Sequence, residues 1–146
     1  MKTTTAIGIL LVGLLLAAAP EDDNKKDLKA MQGDWACEEL VKDGFRVPDD
    51  DARALFRTVK DDTYTVHRFR KKAGSGKFKL DATKSPKHID IIPDGAKGLV
   101  IEGIYKIDGD KLTMCYAAPK GKRPTEFASK EESGVTLAVW LREKKK

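Results

Sequence analysis

The sequence predicts an all-β fold: an antiparallel barrel of about eight strands with a short N-terminal helical turn. Three observations predict it. From residue 34 onward, apolar and polar residues alternate with period 2. Turn residues interrupt that alternation at short intervals, at Lys42-Asp43-Gly44, Asp61-Asp62, Gly74-Ser75-Gly76, Pro93-Asp94-Gly95 and Asp108-Gly109. No stretch reads strand, helix, strand, which disfavours a parallel sheet. Eight antiparallel strands can close on themselves and leave no exposed edge.

The chain opens with a different signal. Met1-Lys2 is a short positive start, and residues 6–19 run without interruption as AIGILLVGLLLAAA. That run is too short to span a membrane, which takes about twenty apolar residues. It fits the apolar region of a secretory signal, with Ala17 and Ala19 as the small residues before cleavage. Residues 1–19 are therefore expected to be a signal peptide, and the mature chain to be exported, periplasmic or secreted. No Cys follows the run, so no stable membrane anchor is expected after cleavage. Residues 20–26 would form a polar mature N-terminus and residues 27–146 the barrel domain.

Residues 26–31 read as one helical turn, broken by Gly33. A first strand over 34–41 places Trp35 and Cys37 on one face. Val47-Pro48 leads into a second helical turn, with Asp capping residues 52–55. Residues 56–60 pair with 63–70 across Asp61-Asp62. Gly74-Ser75-Gly76 is expected to turn the chain into residues 77–81, with Phe78 and Leu80 on one face. In the next strand, 87–92, Ile89 and Ile91 alternate with His88 and Asp90. Leu99, Ile101, Gly103, Tyr105 and Ile107 share a face of the strand after that. Asp108-Gly109 supplies the positive φ of a two-residue hairpin turn. It leads to residues 111–117, where Leu112, Met114 and Tyr116 oppose Thr113 and Cys115. The last strand, 135–142, presents Val135, Leu137, Val139 and Leu141 as its apolar face, which leaves Trp140 and Arg142 outward.

Composition excludes several function classes. The 146 residues hold 28 basic and 23 acidic side chains, a formal net charge of +5. The two signs are interleaved, so the surface reads as solvated and no nucleic-acid partner is expected. Two cysteines without CxxC spacing make no zinc site. Cys37 and Cys115 fall on opposite strand faces, which disfavours a disulfide even outside the cytoplasm.

The helical turn followed by Gly33-Asp34-Trp35 and a first strand resembles the start of lipocalins. In lipocalins the Trp plugs one end of the barrel and a basic residue near the end of the last strand packs over it. The resemblance implies that role for Arg142. Beyond this, the chain is similar to a planctomycete lipocalin-like family of uncharacterised domains. The similarity is carried by GDW, KDGFRVP, DDTYTV, GKFKLDATKSPKHIDIIPDG, GIYKIDGDKLTMCYAAP, KRPTEF and LAVWLREK. It implies a fold, and no activity or catalytic residues.

Candidate sites follow from these readings. His67 and His88, the only histidines, both lie opposite apolar faces, and Ser75, Ser129 and Ser133 lie in turns. Neither a nucleophile with its base nor a metal-ligand set emerges, so no enzymatic role, cofactor or metal is expected. The barrel interior is the candidate ligand site. Trp35, Tyr64, Phe78, Ile101, Tyr105, Met114 and Tyr116 would line it, and a small apolar ligand is the partner such a lining suits. Gly103 would leave space there. The same residues would equally fill a solid core. In that case the protein would be a structural or interaction module, with Val100, Ile104, Ala138 and Trp140 as an exposed strip and the loop Lys122-Arg123-Pro124-Thr125-Glu126-Phe127 as a binding segment; the alternative for Phe127 is to cap the barrel mouth.

Overall fold

The computed structural model describes residues 20–145. The expected signal peptide lies outside the described residues. Helix α1 (Pro20–Met31) leads into strand β1 (Gly33–Lys42), a two-residue strand β2 (Phe45–Arg46) and a short helix α2 (Asp49–Arg53). Strands β3 (Leu55–Lys60), β4 (Thr63–Arg68), β5 (Lys71–Asp81), β6 (Lys87–Pro93), β7 (Ile101–Asp108), β8 (Lys111–Ala117) and β9 (Val135–Arg142) follow. Each pairs antiparallel with the next, and β9 pairs back onto β1. Eight strands thus close an up-and-down barrel, with β2 as an appendage on β1.

The strand order gives the barrel two different ends. β1 begins and β9 finishes at the end that α1 covers. The connections 43–54, 69–70, 94–100 and 118–134 all lie at the other end. Met31, Trp35, Phe78, Ile89, Tyr105, Leu112 and Met114 pack the interior toward the α1 end and are buried. Burying each of these side chains contributes about 1.5–3 kcal/mol. Phe45, Phe69 and Val100 stand exposed on three of the connections at the opposite end.

Several local readings change. α1 takes in residues 20–25 as well as the expected turn, so the polar N-terminal stretch is helical. α2 starts at Asp49 behind Pro48, and no Asp side chain caps it. Leu99 and Val100 fall outside β7.

The β4–β5 turn is Phe69-Arg70, both at positive φ (48° and 63°), the pair that a two-residue hairpin of this hand needs. Gly74-Ser75-Gly76 instead lies inside β5. A side chain at Gly76 would collide with the Ile92 carbonyl and with the Tyr64 hydroxyl, so glycine serves close approach there. The β7–β8 turn is Gly109-Asp110, one residue later than expected, with Asp108 paired to Lys111. Gly109, at φ 57°, takes the first central position.

The largest correction concerns β9. Trp140, Ala138 and Thr136 lie across from Leu112, Met114 and Tyr116, so they point inward. Leu137 and Val139 point outward. Alternation marks two apolar faces on this strand and cannot say which meets the core. Connection 118–134 runs back over the outer wall formed by β6, β7 and β8. Arg123 donates to the backbone carbonyls of Ile89 (3.1 Å) and Gly103 (2.7 Å) and pairs with Asp90. Cys115 Sγ reaches the Ala128 carbonyl, and Phe127 lies under Lys106 on the outside. Ile104 and Cys115 are buried on that outer face. The expected exposed strip is therefore absent: Trp140 and Ala138 are interior, and Ile104 is covered. Phe127 does not cap the mouth.

Candidate functional site

A bulge at Glu38 sets the inner surface of β1. Cys37 pairs with Trp140 and Glu39 with Val139, so the strand changes parity between them. Trp35, Cys37, Leu40 and Lys42 all end on the inward face as a result. A second bulge, at Ala73 opposite the Val66–His67 step, bends β5 near the open end.

The half of the barrel away from α1 is hollow. A cavity of about 300 Å³, partly open to solvent, is lined by residues from β1, β3, β4, β5, β6, β7, β8 and β9. Leu40, Leu55, Val66, Ile91, Ile101 and Trp140 supply its apolar wall, and Lys42 and Ala73 stand exposed at its rim. Arg57, Tyr64 and Tyr116 supply its polar groups.

Arg57 is the unusual member. It is a buried guanidinium, 4% exposed, inside an otherwise apolar wall. Its guanidinium carbon lies 4.6 Å from the centroid of the Tyr64 ring. Neither Nε nor Nη2 has a hydrogen-bond partner among the described residues, and the indole Nε1 of Trp140 is likewise unpartnered. Burial pushes the Arg57 guanidinium below its ordinary pKa, because the charge has left water without a carboxylate to receive it. Burial also raises the phenols of Tyr64 and Tyr116, which the neighbouring Arg57 charge partly offsets. Both therefore stay neutral and available as hydroxyls at ordinary pH.

The expected site residues divide between the two halves. Tyr64, Ile101 and Tyr116 line the cavity. Trp35, Phe78, Tyr105 and Met114 do not; they form the packed core toward α1. Tyr105 turns away to donate to Asp27 of α1 at 2.8 Å, and Lys87 meets the same carboxylate oxygen at 2.7 Å. Gly103 leaves no vacant space: Tyr116 Cβ and the Cys115 carbonyl occupy the position that a side chain would take.

Sequence reading passed over Arg57 and misplaced Trp140. The available signal for Arg57 is its spacing of two from Val59, which puts both on the inward face of β3. A charge at an inward strand position is the anomaly that marks a site.

The remaining chemistry-bearing groups are separate. His67 pairs across from Phe56 on the outer face. His88 lies beside Asp81, Arg123 and Lys84 on the surface. Ser75 donates to Asp94, and Ser129 to the Val135 carbonyl. Cys37 and Cys115 are free and buried on opposite faces of the wall. Burial pushes the Cys37 thiol up to about 11, which leaves it a poor nucleophile. Among the described residues no group of three His, Cys, Asp or Glu side chains is placed to hold a metal ion. Comparison with family models, with curated proteins and with solved structures finds no match to this chain.

Proposed function

We propose that this chain is an exported, non-enzymatic barrel that binds a small, largely apolar molecule in its open half. One observation carries the reading: the interior is packed toward α1 but leaves a cavity of about 300 Å³ toward the other end. Apolar walls with a few convergent polar groups suit a small ligand. Export rests on the apolar run over residues 6–19.

Trp140 makes the reading testable. It lines the cavity, whereas Trp35 is sealed under Arg142 in the packed half. Titration with eight- to twelve-carbon alcohols and carboxylates is expected to shift tryptophan emission, and Trp140→Phe should remove the shift. Calorimetry on the same mixtures provides the independent check. No binding by either method, together with no small molecule recovered by mass spectrometry from protein purified out of its native host, would overturn the proposal.

A second reading draws on Phe45 and Phe69, 68% and 65% exposed on connections at the cavity end. An interaction module would use these side chains for a protein partner. Such a module would leave the cavity empty in the same titration.

A further inference from the structure

We infer that the ligand of this cavity is an amphipathic acid, with its carboxylate held side-on by Arg57. The inference rests on the binding reading above and names the chemical class of ligand. The argument starts from the unpartnered buried side-chain atoms among the described residues. They are Arg57 Nε, Arg57 Nη2 and Trp140 Nε1. All three are donors. Both residues line the same cavity.

The two arginine atoms are also a matched pair. Nε–H and Nη2–H lie on one edge of the guanidinium and point the same way. That edge suits the two oxygens of a carboxylate in a pair of parallel hydrogen bonds, and because it is closed to water in the empty cavity the side chain must turn it toward the ligand on binding. The centroid of the Tyr64 ring lies 4.6 Å from the guanidinium carbon, a contact that holds the charge at the cavity wall before the anion arrives. A neutral apolar ligand would leave the three donors unmet, and a ligand offering one carbonyl would meet the fork only in part.

The rest of the wall decides what is attached to the carboxylate. Leu40, Leu55, Val66, Ile91 and Ile101 offer no further buried charge, which favours an aliphatic or aromatic body over a sugar or peptide. A single buried cation also matches a monoanion better than a phosphate dianion. Lys42, at the exposed rim, provides a long-range pull on the acid during entry.

The test compares decanoate, 1-decanol and decyl phosphate by calorimetry, on the wild-type chain and on Arg57→Met. Decanoate is expected to bind the wild type about 10- to 100-fold tighter than decanol, the range for hydrogen bonds to a charged partner. Arg57→Met should erase that preference while decanol binding stays the same or tightens. The variant should fold with an unchanged or raised melting temperature, because it removes a buried charge that no carboxylate among the described residues pairs with. If Arg57→Met fails to fold, Arg57→Lys serves instead: it keeps the charge, loses the fork and should lose most of the preference.

Equal binding of decanoate and decanol to the wild type would overturn the acid assignment and leave the binding reading standing. Tighter binding of decyl phosphate than of decanoate would overturn the carboxylate assignment. Binding of none of the three would overturn the acid assignment together with the reading beneath it.

Discussion

Arg142, near the end of the last strand, lies 4.2 Å over the ring of Trp35 in the first. Its Nη1 and Nη2 donate to the carbonyls of Gln32 and Ala30, each at 2.6 Å, and Nε meets Asp110 at 3.1 Å. Trp35 itself donates from Nε1 to the Met31 carbonyl at 2.9 Å. One side chain thus closes the barrel seam between β1 and β9 and ties down the Ala30 carbonyl in the last turn of α1 and the Gln32 carbonyl just beyond it. Arg142→Ala should cost about 2–4 kcal/mol, the loss of charged hydrogen bonds and of the cation–π contact. Denaturant unfolding followed by circular dichroism measures this directly. A loss under about 0.5 kcal/mol, the usual size of a surface substitution, would show that the lock is idle.

The Tyr105–Asp27–Lys87 cluster anchors α1 across the packed end. Burial, and then the hydrogen bond to the Asp27 carboxylate, raise the Tyr105 phenol well above its ordinary value of 10.0. The folded state therefore holds this proton at pH values where the unfolded chain releases it. The stabilisation is complete below pH 10 and is lost as pH rises from there toward the folded value. Stability should fall with pH above 10, and Tyr105→Phe should flatten the fall. At neutral pH the same variant should cost about 1–2 kcal/mol, because the Asp27 carboxylate loses a donor. Denaturant midpoints across pH 7–11.5 for both chains separate the two effects. Parallel curves would remove Tyr105 from the account, leaving Tyr64 and Tyr116, whose phenols burial also raises.

Gly103 sits between Ile89 and Tyr116 in the barrel wall. A Cβ there would come within 2.8 Å of the Cys115 carbonyl and 2.9 Å of Tyr116 Cβ. Gly103→Ala should destabilise by about 1–3 kcal/mol, the usual cost of overpacking. Because the strain falls on Tyr116, the variant should also weaken binding of whatever ligand occupies the cavity. A thermal melt and the decanoate titration, run together, check both. A variant as stable as the wild type would show that β8 shifts freely, contrary to the packing seen here.

How much of this is legible in the sequence depends on which physical signal each residue carries. The strand set was legible because inward and outward positions alternate and turn residues interrupt them. The Arg142–Trp35 contact was implied only by the lipocalin resemblance, since alternation on β9 pointed the other way. The β4–β5 turn was misread because Gly74 and Gly76 look like turn residues. At Gly76, glycine instead makes room for the Ile92 carbonyl and the Tyr64 hydroxyl, and the turn itself is Phe69-Arg70. Of the candidate site residues, Tyr64, Ile101 and Tyr116 reach the cavity, because the inward set has no label for depth along the barrel.

By itself the sequence determined the all-β class, the number of barrel strands and the inward face of most of them. These are local consequences of side-chain periodicity. The tertiary structure decided which face of β9 is core, because its register on β8 sets Thr136, Ala138 and Trp140 across from the inward Tyr116, Met114 and Leu112. It also decided that the barrel is packed toward α1 and hollow toward the other end. The β3–β4 hairpin sets Arg57 against Tyr64, but only closure of β9 onto β1 brings Trp140 to the same cavity, since no local pattern encodes what lies beyond the seam.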